Sequence, residues 1–520
     1  MKKFAFLIAL SILIHAASVF AGEPGQTLWT QTYGGSNTDW SWFVTQTNDG
    51  GFISTGSTMS FGAGGFDIYL LRTDSDGNEL WYRTFGGSGS DLSYCVQETS
   101  DGGFIVAGYT ASFGAGNLDF YVIKTDANGD SLWTRTYGSA GYDFAYGIEE
   151  TEDCGYIIGG TTSSFGAGSY DFYLIKTDAD GNEIWSNTYG GTGLDDVRSV
   201  RQTDDGGYIA VGYTMSFGNL FLVYVVKTDA EGTEVWSRTF GGPGQDMGYG
   251  VRQTADGGYA VIATTNSFGA GLFDVYLIRT DANGDSLWTR TYGDAGDDTG
   301  YGLEITAEGD FIITGATSSM GPALFNVYLL KVSSEGQEIW STAHGGDGND
   351  YAFSVDATDD GGYIVSGYTN SFGAGLDDAY LLRIMPDPLA TINVASDDSV
   401  VVVPQGGQFG FSGTLWNYTA DPLMLDAWTM AIGPMGNHYG PFKIFYDVPL
   451  DLYDGISAHL VQHVPGGAPA GLYKYVAYCG EYPSTVIDSS LFDVEVVEGA
   501  QAMWEKDRSW LLEGTFTSDK

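Results

Sequence analysis

The chain has 520 residues, with 66 Asp and Glu against 21 Lys and Arg and a formal charge of −45. That imbalance argues against a nucleic-acid-binding protein and against attachment to an anionic membrane, since both are polyanions that would repel it. The cysteines, Cys95, Cys154 and Cys479, are odd in number, so in an exported chain at least one thiol stays unpaired and no disulfide framework is expected.

Met1–Ala21 carries Lys2 and Lys3, an apolar stretch Phe4–Ile14 and a Val19-Phe20-Ala21 end before Gly22, the layout of a cleavable secretory signal. The expectation is a secreted bacterial protein, extracellular or at the cell surface. No cysteine at the cleavage point invites a lipid anchor, and no later segment is long and apolar enough to insert in a membrane.

From residue 27 the chain is periodic. Trp29, Trp81, Trp133, Trp185, Trp236, Trp288 and Trp340 recur at steps of 52 residues, with one step of 51. An Asp-Gly-Gly-aromatic turn keeps the same step at Asp49, Asp101, Asp205, Asp256 and Asp360. It weakens to Asp153-Cys154-Gly155 and Glu308-Gly309-Asp310. The first full unit reads as four strands, Phe43–Thr47, Phe52–Thr58, Asp67–Thr73 and Glu79–Phe85, because Asp-Gly and Gly-Gly between alternating apolar runs mark hairpins. A unit of this size cannot bury its own faces and needs its neighbours.

The repeat region opens with a lone fourth strand, Thr27–Tyr33, and ends on a third strand, Ala379–Ile384. Pairing them leaves no incomplete unit. The predicted fold is therefore all-β: a seven-bladed β-propeller over residues 22–387, closed by the N-terminal strand.

After Met385-Pro386-Asp387-Pro388 the repeat stops. Ile392–Val394, Val400–Val403, Phe409–Trp416, Met424–Ala431, Lys443–Val448, Ser457–His463, Gly471–Cys479 and Ser490–Val497 read as short strands between Gly, Pro and Asp turns. They predict an immunoglobulin-like β-sandwich over residues 388–498, followed by a tail, 499–520. The run Val464-Pro465-Gly466-Gly467-Ala468-Pro469-Ala470-Gly471-Leu472-Tyr473 resembles the penultimate turn and strand of bacterial immunoglobulin-like modules on secreted proteins.

Thr73-Asp74-x-x-Gly77-x-x-x-Trp81 and its copies Asp126…Trp133, Asp178…Trp185, Asp229…Trp236 and Asp281…Trp288 resemble the tryptophan-docking repeat of quinoprotein-type propellers. That resemblance implies a tryptophan packed between blades. Quinoprotein dehydrogenases have eight blades, a vicinal cysteine pair and a calcium site. This chain has seven repeats and no adjacent cysteines, so packing is carried over and catalysis is not.

In a propeller the fourth-to-first and second-to-third strand loops share one face. Two aspartate sets fall there: Asp39, Asp91, Asp143, Asp195, Asp246, Asp298 and Asp350, and Asp67, Asp119, Asp171, Asp274 and Asp378, with Asn326 standing in one repeat. They are the candidate ligand-binding residues, suited to cations or a polyhydroxylated ligand. The competing reading is that each accepts hydrogen bonds from the glycine-rich backbone beside it. The opposite hairpins, such as Asp74/Asp76/Asn78, carry calcium-like spacing but too few oxygens for calcium, which takes six to eight. No cofactor is expected, calcium being the one that the carboxylates would suit.

Arg72, Lys124, Lys176, Lys227, Arg279, Lys331 and Arg383 occupy one repeat position, and surface ion pairs to hairpin aspartates are expected of them. Histidines are few, and His459 and His463 stand roughly 13 Å apart along a strand, too far to share a metal. No nucleophile–base motif occurs. The reading is a non-catalytic binding or surface-interaction protein recognising an extracellular glycan or protein through the loop face. The alternative is a polysaccharide hydrolase or lyase using paired aspartates of that face as acid and base.

Overall fold

The computed structural model describes residues 24–218, 220–387, 390–396, 401–404, 408–417, 423–442, 444–450, 455–464, 468–481, 485–497, 511–513 and 517–518. Met1–Ala21, expected to be a signal segment, lies outside the described residues. Those described form strands and turns without helix. They divide into two units, Thr27–Pro386 and the region from Asp387 onward.

In the first unit, seven antiparallel four-stranded sheets give a propeller-like repeat. Sheet one comprises Asp39–Gln46, Phe52–Thr58, Asp67–Thr73 and Glu79–Phe85. Three of these match the predicted strands, whereas the innermost starts at Asp39 and not at Phe43. Sheet seven joins Asp350–Ala357, Tyr363–Thr369 and Asp378–Ile384 to the N-terminal Thr27–Tyr33, with Tyr33 opposite Ala379. It packs beside sheet one, where Asp356 Oδ2 accepts from Thr45 Oγ1 at 2.7 Å and from Gln46 N at 2.9 Å.

The second and third strands of sheet one are buried along their whole length. Both faces of a sheet are therefore covered by its neighbours. The outermost strand adds the repeat tryptophan: Trp81 lies 5.9 Å from Phe104 of the next sheet. Its ring also covers Gly129, where a Cβ would come within 2.6 Å of it. Gly129 has φ +79°, so this hairpin needs glycine for its backbone and for the ring above it.

The basic residue near the end of each third strand reaches back to the first hairpin of its own sheet. Lys124 Nζ donates to Asp101 Oδ1 at 2.9 Å and to the Thr125 carbonyl at 3.0 Å. Arg72–Asp49, Lys176–Asp153, Lys227–Asp205, Arg279–Asp256 and Arg383–Asp360 repeat the pair. In sheet six, where Glu308 replaces the usual aspartate, Asp310 supplies the carboxylate at 3.7 Å from Lys331. The expectation of surface pairs is corrected here. The cations are buried, with Lys124 only 4% exposed, and apart from buried Asp310 only the carboxylates face solvent.

In the second unit, one sheet holds Ala390–Ser396, Gln408–Asn417, Gly455–His463 and Leu511–Glu513, with Thr517–Ser518 also paired to Gly455–His463. The other holds Val401–Pro404, Thr485–Val497, Gly471–Glu481 and Leu423–Ile432, the last also pairing His438–Tyr439 and Ile444–Leu450. Phe411, Leu415 and Leu460 of the first meet Leu425, Tyr473, Tyr475 and Val494 of the second in one core. The tail thus contributes two short strands to a sheet.

The buried pairs carry a pH signature. Burial raises the Asp101 carboxyl, but hydrogen bonds from Thr99, Lys124 and Gly103 outweigh it and leave it at about 2. Asp153 behaves alike, and Asp256 is held to about 2 chiefly by its hydrogen bond from Arg279. A carboxyl lowered on folding stabilises the fold above its unfolded pKa of about 4 and loses that contribution as pH falls toward its folded value. The melting temperature should drop between about pH 4 and pH 2. An Asp101→Asn/Asp256→Asn variant should start lower and fall less over that window. Separately, Cys154 takes φ 61°, a left-handed conformation that glycine holds at the matching turns. Cys154→Gly should stabilise the chain by about 0.5–1 kcal/mol in urea unfolding.

Candidate functional site

The first aspartate set opens the innermost strands, and Asp39, Asp91, Asp143, Asp195, Asp246, Asp298 and Asp350 are all buried. Asp195 shows the pattern. Its Oδ2 accepts from Gly191 N at 2.8 Å and Ser216 Oγ at 2.6 Å, while Oδ1 accepts from Thr214 Oγ1. Asp39 does the same with Thr58 and Ser60, Asp91 with Thr110 and Ser112, and Asp143 with Thr162 and Ser164. Asp246 uses Thr265 and Ser267, and Asp350 uses Thr369 and Ser371. Asp298 keeps Ser319 Oγ at 2.6 Å and Asp294 N at 2.8 Å. Each carboxylate ties a fourth-to-first loop to a second-to-third loop.

The second set, Asp67, Asp119, Asp171, Asp274 and Asp378, opens third strands and is likewise buried. Asp119 Oδ2 accepts from Ala115 N and Gly116 N, both at 2.9 Å. Burial, reinforced by the facing aspartate of the first set, raises the carboxyls of Asp67, Asp171, Asp274 and Asp378. The sets meet in pairs across a glycine: a Cβ on Gly86 would lie 2.1 Å from Asp67 Oδ1 and 2.7 Å from Asp91 Oδ2. In sheet six Asn326 reverses the polarity, and its Nδ2 donates to the Met320 carbonyl at 2.9 Å.

The hairpins with calcium-like spacing close on themselves. Asp74 Oδ1 accepts from Asp76 N at 3.0 Å and Asn78 N at 2.8 Å, and Oδ2 from Asn78 Nδ2 at 2.9 Å. Among the described residues, no group of three or more His, Cys, Asp or Glu is placed to hold a metal ion.

A feature missed from the sequence lies deeper. Every innermost strand has one β-bulge, between Ser41 and Phe43 in sheet one and at the matching place in the other six. A bulge leaves its extra residue unpaired and re-aims that side chain. The seven extra residues are Trp42, Tyr94, Tyr146, Arg198, Tyr249, Tyr301 and Phe353. All seven line one cavity of about 310 Å³.

Neighbouring members touch from Tyr249 round to Arg198. Ring centroids are 5.5 Å apart for Trp42–Tyr94 and 5.0 Å for Tyr94–Tyr146. The Arg198 guanidinium lies 4.4 Å over Tyr146. Tyr249–Tyr301 stand at 4.9 Å, Tyr301–Phe353 at 5.4 Å and Phe353–Trp42 at 4.4 Å. Toward the loop face, Phe325, Tyr351, Tyr368, Trp40 and Phe66 continue the aromatic surface with centroid separations of 4.9–6.1 Å. Toward the hairpin face lies a polar layer that includes Gln97, Glu149, Arg201, Arg252, Glu304 and Asp356. The sequence signal was available: one repeat position holds six aromatics and an arginine, while the residue before it is small in most copies.

Removing an Asp195-type carboxylate strands three donors that it pairs. Asp195→Ala should cost about 2 kcal/mol or more in equilibrium unfolding. A cost near zero would show that loops 190–195 and 214–217 do not depend on it.

No family model and no curated protein matches the chain. Among solved structures, a CARDB domain from Pyrococcus furiosus, in complex with di-metal ions, is 18% identical, with a TM-score of 0.17 over 21% of this chain and 89% of that one. A mutant puromycin hydrolase complexed with PGG is 12% identical, with a TM-score of 0.42 over 88% of this chain and 66% of that one. A bifunctional GH43-CE protein of Bacteroides eggerthii is 11% identical, with a TM-score of 0.27 over 94% of this chain and 59% of that one. Likenesses this slight carry no argument about activity.

Proposed function

We propose that the chain is exported by a bacterium and works outside the cell as a non-catalytic binding protein. On this reading its repeat unit is a closed seven-bladed propeller with tryptophan-docked blades, followed by an immunoglobulin-like module. Recognition takes place through the loop face, where the two aspartate sets hold the loops and the aromatic-lined cavity receives the ligand. The observation that carries the reading is the set of seven bulges turning one large side chain per sheet into a common space.

Each bulge interrupts the ladder and re-aims its extra side chain, so that the seven meet in one space. Ligand sites are concave, mostly apolar or aromatic, and carry a few placed polar groups, as this cavity does. Its volume of about 310 Å³ is at the lower end of the roughly 300–1,000 Å³ usual for small-molecule sites. That size favours a sugar residue or two of an extracellular glycan over a polypeptide segment.

The test is a glycan-array screen of the chain from residue 22, followed by affinity measurements with Trp42→Ala and Phe353→Ala. A bound glycan whose affinity falls about tenfold or more in either variant, without a change in melting temperature, supports the reading. Binding that is indifferent to both variants overturns it. Turnover of a polysaccharide that is lost in a folded Asp143→Asn/Asp195→Asn variant would instead support a hydrolase or lyase.

A further inference from the structure

The cavity is lined by three arginines, Arg198, Arg201 and Arg252, and by no aspartate or glutamate. This occurs in a chain with 66 acidic and 21 basic residues. The other basic residues of the repeat region have structural partners. One set makes the buried hairpin pairs, as Lys124 does with Asp101. Arg83, Arg135, Arg238 and Arg290 lie over the repeat tryptophans.

The three cavity arginines differ in what holds them. Arg252 places Nε and Nη2 on Glu304 Oε2, at 3.0 and 2.9 Å, so its charge is compensated. Arg198 Nη2 donates to Asp196 Oδ2 at 3.2 Å and to Tyr213 Oη at 2.8 Å, which fixes its plane. Its Nε is buried and has no acceptor among the described residues. Arg201 is half-buried and makes no side-chain hydrogen bond or ion pair among the described residues. Beside them, Trp42 Nε1 is buried without an acceptor among the described residues, and the Tyr249 hydroxyl faces the Met247 sulfur at 3.9 Å, a weak partner.

We infer that the cavity takes the carboxylate-bearing ring of an acidic sugar, with Arg201 on the carboxylate, the unpartnered Nε of Arg198 as a further single donor, and the aromatic ring against the sugar's apolar faces. This rests on the binding reading above and names its ligand class. A guanidinium meets a carboxylate through two parallel N–H donors, and a partly dehydrated site strengthens that contact. Because Arg198 is already held by Asp196, Tyr213 and Tyr146, little side-chain freedom is lost on binding. Inorganic phosphate has no ring to fill the aromatic space, and a neutral sugar offers Arg201 no charged group at contact distance.

The experiment titrates the chain from residue 22 with galacturonate and glucuronate, as monomers and as short oligomers, by calorimetry and tryptophan fluorescence. Galactose, glucose, benzoate and inorganic phosphate are run beside them. Expected are a uronate preference of tenfold or more over the matching neutral sugar, weakening with added salt, and a loss of tenfold or more in Arg201→Met. Arg201→Lys should recover part of the affinity, and Arg238→Met, remote from the cavity, should bind as the parent does. Melting curves check that each variant folds. Equal binding of neutral sugars at a site still lost in Trp42→Ala overturns the acidic-sugar inference and leaves the binding reading standing. Uronate binding unchanged in Arg201→Met, preference for benzoate or phosphate, or no response to any uronate also overturns the inference. Sugar binding that ignores both Trp42→Ala and Phe353→Ala overturns both readings.

Discussion

The repeat unit depends on a burial constraint. The second and third strands of a sheet are apolar on both faces, as Phe104–Thr110 and Asp119–Thr125 show, so no sheet is stable with one face in water. Each must be flanked by two others, and a linear stack would leave two faces bare. The first and seventh sheets are in contact through Asp356 and Thr45, and the N-terminal strand pairs with the Asp378–Ile384 edge of the seventh.

Mutual covering forces the innermost strands close together. Opposite the bulge six sheets carry glycine and sheet five Ala263; a Cβ on Gly56 would stand 1.8 Å from the Trp40 carbonyl oxygen, and one on Gly108 1.8 Å from that of Leu92. The small residue there leaves the inner strand close to its neighbour, and the extra residue of the bulge lines the cavity. The same crowding that lets sheets pack therefore creates the cavity. What the sequence places at the bulge decides whether that space is merely filled or becomes chemically selective. Six aromatics supply faces, and Arg198 breaks the series with a charge.

Much of this was legible in the residues. The period of the tryptophans, the Asp-Gly turns and the orphan strand Thr27–Tyr33 are local signals, and the four-stranded sheets follow from them. The bulge at Ser41–Trp42–Phe43 puts the alternation of the innermost strand out of phase, so the sequence alone marks its start only at Phe43. The cation ladder was placed at the surface because a lysine usually belongs there; only the strand pairing shows that Lys124 lies beneath its own hairpin. The aspartate sets were visible as columns of identity. Their partners, Thr214 and Ser216 for Asp195, stand far enough along the chain that only the fold reveals the shared carboxylate. Identity at a repeat position marks what every sheet needs, whereas selectivity lies where the copies differ.

That distinction bears on the electrostatics. In so acidic a chain every buried cation costs desolvation, and the fold offsets it in two ways. Lys124 and its equivalents each sit under a carboxylate and a carbonyl, so their charge is met within the sheet. Arg252 is met by Glu304, whose carboxyl would be raised by burial but is held below its usual range by that arginine. Arg201 lacks such a neighbour at contact distance, although a carboxylate at the matching position would have been as easy to encode: Glu149 and Glu304 hold that place in sheets three and six. A guanidinium without a contact ion pair among the described residues, beside an aromatic wall, suits the cavity to an anion, and the negative charge of the chain repels anions elsewhere.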